Sequence, residues 1–146
     1  MQKTSNTKPK NLLLDTHAWI WLLNGNAEKL GKESLKLIER FAKDEAVKVS
    51  AISVWEIGML VAKKRILLSK DVHLWVKDSF KGNGLFCEPL SVDILLESTQ
   101  LSDDFHGDPA DRLIIATAKR INAVIMTADT KIVRYCKKHR LSVEPL

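Results

Sequence analysis

Short, mostly apolar runs that each give way to a segment of helical period constrain this chain more than any other feature. LLL at 12–14 precedes THAWIWLL, VKVS at 47–50 precedes SVWEIGMLVAKKR, LFCEPL at 85–90 precedes SVDILLESTQL, and AVIMT at 123–127 precedes a basic stretch over 130–139. A strand with one wet face alternates apolar and polar residues; taken together these runs are too apolar for that, so they predict a parallel sheet covered by helices on both faces. Further helices are expected over 31–43, where Leu35, Ile38 and Phe41 recur at helical intervals, over 71–81, and from Asp108-Pro109 to about Arg120. LSVEP at 141–145 is the candidate for a last strand. The expected class is α/β, a three-layer α/β/α sandwich around a central parallel sheet.

With 146 residues, 45% hydrophobic and 28% charged, the chain suits one domain with a real core. Residues 1–10 carry three lysines and almost no apolar side chains, and are expected to be a flexible leader to a domain spanning 11–146. No apolar run approaches the roughly 18 to 20 residues that cross a bilayer, and no hydrophobic region follows the polar start, so no membrane is expected and the cytoplasm is the expected compartment. Cys87 and Cys136 have no CxxC or Cys/His spacing around them, which predicts two reduced thiols in or near the core and no zinc site. A formal charge of +5 favours an anionic partner.

In open parallel sheets, chemistry gathers beyond the carboxyl ends of the strands. Four acids fall at that edge. Asp15 follows LLL, Glu56 is expected in the first turn after VKVS, Asp111 in the first turn of DPADRLIIATAKR, and Asp129 follows AVIMT. Crowded carboxylates either take up protons or hold a divalent cation, and ligands that are all oxygen favour Mg²⁺ or Mn²⁺. Taken singly, the acids also fit helix capping: Ser53 to Glu56 reads as a capping box, Asp108 as an N-cap before Pro109, and Asp129 as a cap of the last helix. Other acid sites fit poorly. A haloacid-dehalogenase-like phosphatase needs a second Asp two residues after the first, where this chain has His17. A response-regulator receiver needs an acidic pair after its first strand, where Asp15 stands alone, and no GxxxxGK[ST] phosphate loop occurs.

Together, LLLDTHAWIWLL, VSAISVWEIGMLVAKKR, HGDPADRLIIATAK and AVIMTAD resemble the PIN-domain ribonucleases, specifically the VapC-type toxins of bacterial toxin–antitoxin pairs. The resemblance spans about residues 11 to 146 and departs from the family mainly at Ala110, where Phe is frequent, and in the longer leader. It implies a Mg²⁺- or Mn²⁺-dependent endoribonuclease with Asp15, Glu56 and Asp111 as core metal-binding and catalytic acids and Asp129 as the fourth. It further implies a homodimer held inactive by a cognate VapB-like antitoxin.

An RNA substrate needs cations around the acids, because carboxylates alone repel phosphates. Lys63, Lys64, Arg65, Arg112, Lys119 and Arg120 are the candidates, each also readable as part of a solvated helix face, with Arg112 able to pair a neighbouring acid instead. Thr16, Ser53 and Thr127 stand beside the acids and suit either ligand positioning or backbone bonding. His106 is read as a solvated or structural histidine. Trp19, Trp21, Trp55 and Trp75, at helical positions among Leu and Ile, are read as core or interface anchors rather than base-stacking residues. Two competing functions remain: a catalytically silent PIN-like module that binds RNA or protein, disfavoured because no ligand acid is missing, and cleavage of structured DNA, for which 146 residues leave little room.

Overall fold

A computed structural model describes residues 8–102, 105 and 107–146. In chain order the elements are β1 (Asn11–Leu14), α1 (Thr16–Leu23), a 3₁₀ turn (Ala27–Lys29), α2 (Lys32–Lys43), β2 (Val47–Ser50), α3 (Ala51–Ala62), α4 (Val72–Ser79), β3 (Leu85–Glu88), α5 (Val92–Ser98), α6 (Pro109–Ile121), β4 (Ala123–Thr127), α7 (Thr130–Lys138) and β5 (Val143–Pro145). The five strands form one sheet in the order β3-β2-β1-β4-β5, and every neighbouring pair is parallel. The chain builds outward from β1 through β2 to β3, then crosses back to lay β4 on the other side of β1. The sheet therefore reverses its order between β1 and β4, the place where parallel α/β sheets open a crevice.

The uniform LLL run is explained by which way its side chains point. Successive strand residues face opposite sides of the sheet. Leu12 and Leu14 join Val47, Val49, Trp19, Ile38, Phe41, Ile57 and Trp75 in one core. Leu13 points the other way, into a second core with Ile115, Ile125, Ile132, Tyr135 and Cys136. Helices α1 and α2, with parts of α3 and α4, cover the first face, and α6 and α7 cover the second. This is the expected three-layer sandwich.

Several boundaries differ from the sequence reading for identifiable reasons. Helix α3 starts at Ala51 rather than Ser53, because Ser50, the last residue of β2, is its cap and accepts the Ile52 N–H at 3.1 Å. Ser53 is thus an interior, fully buried residue rather than the head of a capping box, and Glu56 falls in the second turn. Strand β3 is an edge strand, so Phe86 and Cys87 are exposed and Cys87 lies outside the core, whereas Cys136 is fully buried. Residues 1–7 of the expected leader lie outside the described residues. Of the remainder, Lys10 donates its backbone N–H to the Asn122 carbonyl at 2.9 Å, and the Lys8 carbonyl accepts from the Asn122 side chain at 3.0 Å.

Candidate metal centre

Parallel pairing of β1 with β4 brings the first site residues together. Leu14 pairs with Met126, and Asp15 donates its backbone N–H to the Met126 carbonyl at 3.0 Å, so Asp15 and Thr127 leave the sheet side by side. Asp15 is the N-cap of α1 and accepts the Ala18 N–H at 2.9 Å through Oδ1. Its Oδ2 accepts from the Thr127 hydroxyl, which in turn accepts the Asp129 N–H at 2.9 Å. Asp129 caps α7, accepting the Lys131 and Ile132 N–H groups. From α3, Glu56 accepts the Thr16 hydroxyl at 2.5 Å, and the Thr16 oxygen also lies 2.7 Å from the Ser53 hydroxyl. Asp108 caps α6 with Pro109 as its first residue and accepts the Asp111 N–H at 2.9 Å.

These acids share one cleft of about 400 Å³, lined by Asp15, Thr16, His17, Trp21, Glu56, Asp108, Asp111, Ile114, Ala128 and Asp129. Capping and cleft-lining are therefore not alternatives here: Asp15, Asp108 and Asp129 each do both. The four acids expected from the sequence all reach the cleft, Thr16 lines it, and Thr127 bonds two of its acids from below. Asp108 is a fifth carboxylate.

Burial and mutual repulsion set the proton affinities. Burial is the main cause that pushes the Asp15 carboxyl above the usual range, partly offset by the Thr127 and Ala18 hydrogen bonds. Glu56 is raised chiefly by burial and further by Asp108 and Asp15, against the Thr16 hydroxyl and the His17 ring. Asp111 is pushed up to about 7, first by burial and then by Asp108, Asp129, Glu56 and Asp15 in turn. A carboxyl that feels four others lies within one negative field, and a divalent cation is the natural counter-charge.

The acids do not form a closed cage. Among the described residues, no three Asp, Glu, His or Cys side chains are gathered tightly enough to hold an ion as placed. The fit rests on the donor chemistry instead. Every acid donor is an oxygen, no cysteine lines the cleft, and one lone pair spent on a capping N–H leaves a carboxylate further acceptor sites. That set suits a hard ion such as Mg²⁺ or Mn²⁺.

The expected cations are not at the cleft. Lys63 caps the end of α3, about 10 Å beyond Glu56 along the axis at 1.5 Å per residue, Lys64 and Arg65 follow it, and all three are exposed. Lys119 and Arg120 stand at the end of α6 opposite Asp111, and Arg120 is paired with Asp93 and Glu97. Arg112 donates Nε to the Ser98 carbonyl at 2.9 Å and Nη1 to the Phe105 carbonyl at 3.2 Å, tying α6 to α5 and the loop between them. His106 lies outside the described residues. Conversely, His17, Trp21 and Asp108 line the cleft without having been singled out for it. The available signal was spacing: His17 and Trp21 stand four residues apart, on one face of the helix that Asp15 opens.

The family model for the PIN domain matches residues 12–138, a stretch that contains all five acids. The chain belongs to the PIN-domain family. Ribonuclease VapC22 of Mycobacterium tuberculosis is 30% identical to it over 121 residues, which cover 83% of this chain and 88% of that relative. Two solved structures share the PIN-domain architecture. A toxin–antitoxin complex from Klebsiella pneumoniae superposes with a TM-score of 0.54 at 24% identity, over 83% of this chain and 88% of that one. FitAB bound to an IR36 DNA fragment superposes with a TM-score of 0.57 at 20% identity, over 92% and 94%. Among the described residues of this PIN-domain chain, no helix is long and apolar enough to cross a membrane.

Proposed function

We propose that this chain is the toxin of a toxin–antitoxin pair, an endoribonuclease that hydrolyses RNA phosphodiester bonds with Mg²⁺ or Mn²⁺ held by Asp15, Glu56, Asp111 and Asp129. The observation that carries the proposal is one cleft lined by five carboxylates from four separate segments, at the reversal point of a parallel sheet. Capping accounts for Asp15, Asp108 and Asp129 singly, but it accounts for neither Glu56 nor Asp111 and gives no reason for five carboxylates to share one cleft. The similarity to a protein named a ribonuclease supplies the substrate class. The VapC-type resemblance supplies a VapB-like antitoxin and a homodimer, and the polar start without an apolar run behind it supports a cytoplasmic setting.

Asp15, Glu56, Asp111 and Asp129 would hold the ion, whose chemistry there would be to lower the pKa of a water and to offset negative charge developing on the attacked phosphodiester. The protein's own groups supply orientation. Thr127 fixes one oxygen of Asp15 and the backbone of Asp129 at once, so the two acids keep a constant relation. Thr16 does the same for Glu56 from the first turn of α1. Asp108 organises the start of α6, which carries Asp111.

The test is incubation of the purified protein with total RNA in Mg²⁺, in Mn²⁺ and in EDTA, beside Asp15→Asn and Asp111→Asn. Cleavage is expected only with metal and only in the parent. Metal-dependent cleavage that survives in both purified variants would overturn the assignment.

A further inference from the structure

Carboxylates repel a polyanion, and among the described residues lining the cleft none is Lys or Arg. Something else must hold the nucleic acid. Trp19 and Trp21, two residues apart on α1, have opposite fates. Trp19 is fully buried, 5.1 Å from the Trp75 ring and 5.6 Å from Phe80. Trp21 packs only partly on the core and lines the acidic cleft. One turn earlier, exposed His17 lines the same wall, its ring centroid 6.1 Å from that of Trp21 and tilted by 56°. From the 3₁₀ turn, exposed Lys29 brings its ammonium to 5.4 Å from the Trp21 ring centroid. The cleft thus has an aromatic wall beside its acidic floor, with the Lys29 ammonium over one face of the Trp21 ring.

Each element of that wall matches one part of a nucleotide. Aromatic faces stack on bases of any sequence, and a cation at the rim meets the backbone phosphate. We infer that Trp21 is a stacking platform for one unpaired nucleobase next to the scissile phosphate, with His17, inclined to it, bordering the base and Lys29 contacting the phosphate of that nucleotide. This rests on the nuclease reading above and narrows it. In a duplex the base faces are already stacked on their neighbours, so the platform requires single-stranded RNA or an unpaired loop.

The experiment compares the parent with Trp21→Leu, Trp21→Phe, His17→Ala and Lys29→Ala on a labelled single-stranded RNA containing a mapped cleavage position. The same strand is also presented paired to its complement and with an abasic nucleotide beside the scissile bond. Cleavage kinetics are read with Mg²⁺ or Mn²⁺, and affinity by fluorescence anisotropy in EDTA. Trp21→Leu is expected to raise KM about tenfold, more than it lowers kcat, and to weaken binding to match, with Trp21→Phe restoring most of the loss. The abasic strand should cost the parent about tenfold and cost Trp21→Leu nothing further. Lys29→Ala should shallow the dependence of affinity on salt by close to one phosphate contact. If Trp21→Leu does not fold, the abasic strand on the parent and His17→Ala, at an exposed position, carry the same comparison. Parent and Trp21→Leu equal in KM and affinity, or equally penalised by the abasic strand, would overturn the platform and leave the wall to packing or a protein partner. A parent that neither binds nor cleaves any RNA would instead defeat the nuclease reading itself.

Discussion

Thr127 is the residue on which the site's internal order depends most. It is fully buried, it bonds Asp15, and it receives the Asp129 N–H. Thr127→Val keeps the shape and deletes both bonds. Partners that orient metal ligands are typically worth 10- to 100-fold in metal affinity or activity. We expect Thr127→Val to weaken Mn²⁺ binding by about that range in titration calorimetry, with the fold intact by circular dichroism. Unchanged Mn²⁺ affinity would show that the hydroxyl serves only the backbone. Asp111 makes a prediction of opposite sign. Its carboxyl is raised to about 7 by burial and four neighbouring acids, so the folded protein holds that proton more tightly than the unfolded chain does. The stability this contributes is complete below the ordinary carboxyl value and is lost as pH rises through about 7. In EDTA, the Tm advantage of Asp111→Asn over the parent should therefore be larger at pH 8 than at pH 5, while added Mn²⁺ at pH 8 should raise the parent's Tm more. A Tm difference in EDTA that stays flat with pH would mean that Asp111 does not share the acids' field.

At the scale of elements, the short segment before α6 sets where Asp111 stands. Gly107 lies so close to the Phe105 ring that an added Cβ would approach its atoms to 2.2 and 2.4 Å, and would also come within 3.1 Å of the Asp111 Cβ. Phe105 is buried in the second core and cannot swing away freely. Gly107→Ala should therefore lower stability by about 1–3 kcal/mol, the usual cost of overpacking, and displace the start of α6. Urea melts check the first part and loss of RNA cleavage the second; a parent-like melt would mean that the loop yields without resistance. The elements themselves were readable because uniformly apolar runs and 3.6-residue periodicity report burial, and burial made them. Where the reading slipped, two local signals competed or burial failed. Ser50 capped α3 before Ser53 could, and β3 took an edge, where Phe86 and Cys87 meet solvent. The acids were legible as strand-end residues. The wall made by His17 and Trp21 was not, because only packing decides which face of α1 turns toward α3 and α6.

For the molecule as a whole, the decisive asymmetry is that five carboxylates collect at one edge of the sheet in a chain whose formal charge is +5, so the rest of the chain carries +10. Sequence shows which cations flank a helix but not how far its axis carries them from a site. Lys63 stands about 10 Å along α3 from Glu56, with Lys64 and Arg65 just past the helix end; that distance is slightly more than the screening length of about 8 Å at physiological ionic strength and well inside the roughly 30 Å at 0.01 M. At that distance they act on approaching RNA through their field rather than by touching the strand in the cleft. Replacing all three with alanine should lower kcat/KM for RNA several-fold at about 0.01 M salt and by less than about twofold at 0.15 M. Lys29→Ala, at the cleft wall, should cost activity under both conditions. Measuring kcat/KM for the two variants at the two ionic strengths separates the roles, because a triple variant equally impaired in low and high salt must have lost direct contacts, which would extend the RNA path along α3 to its far end.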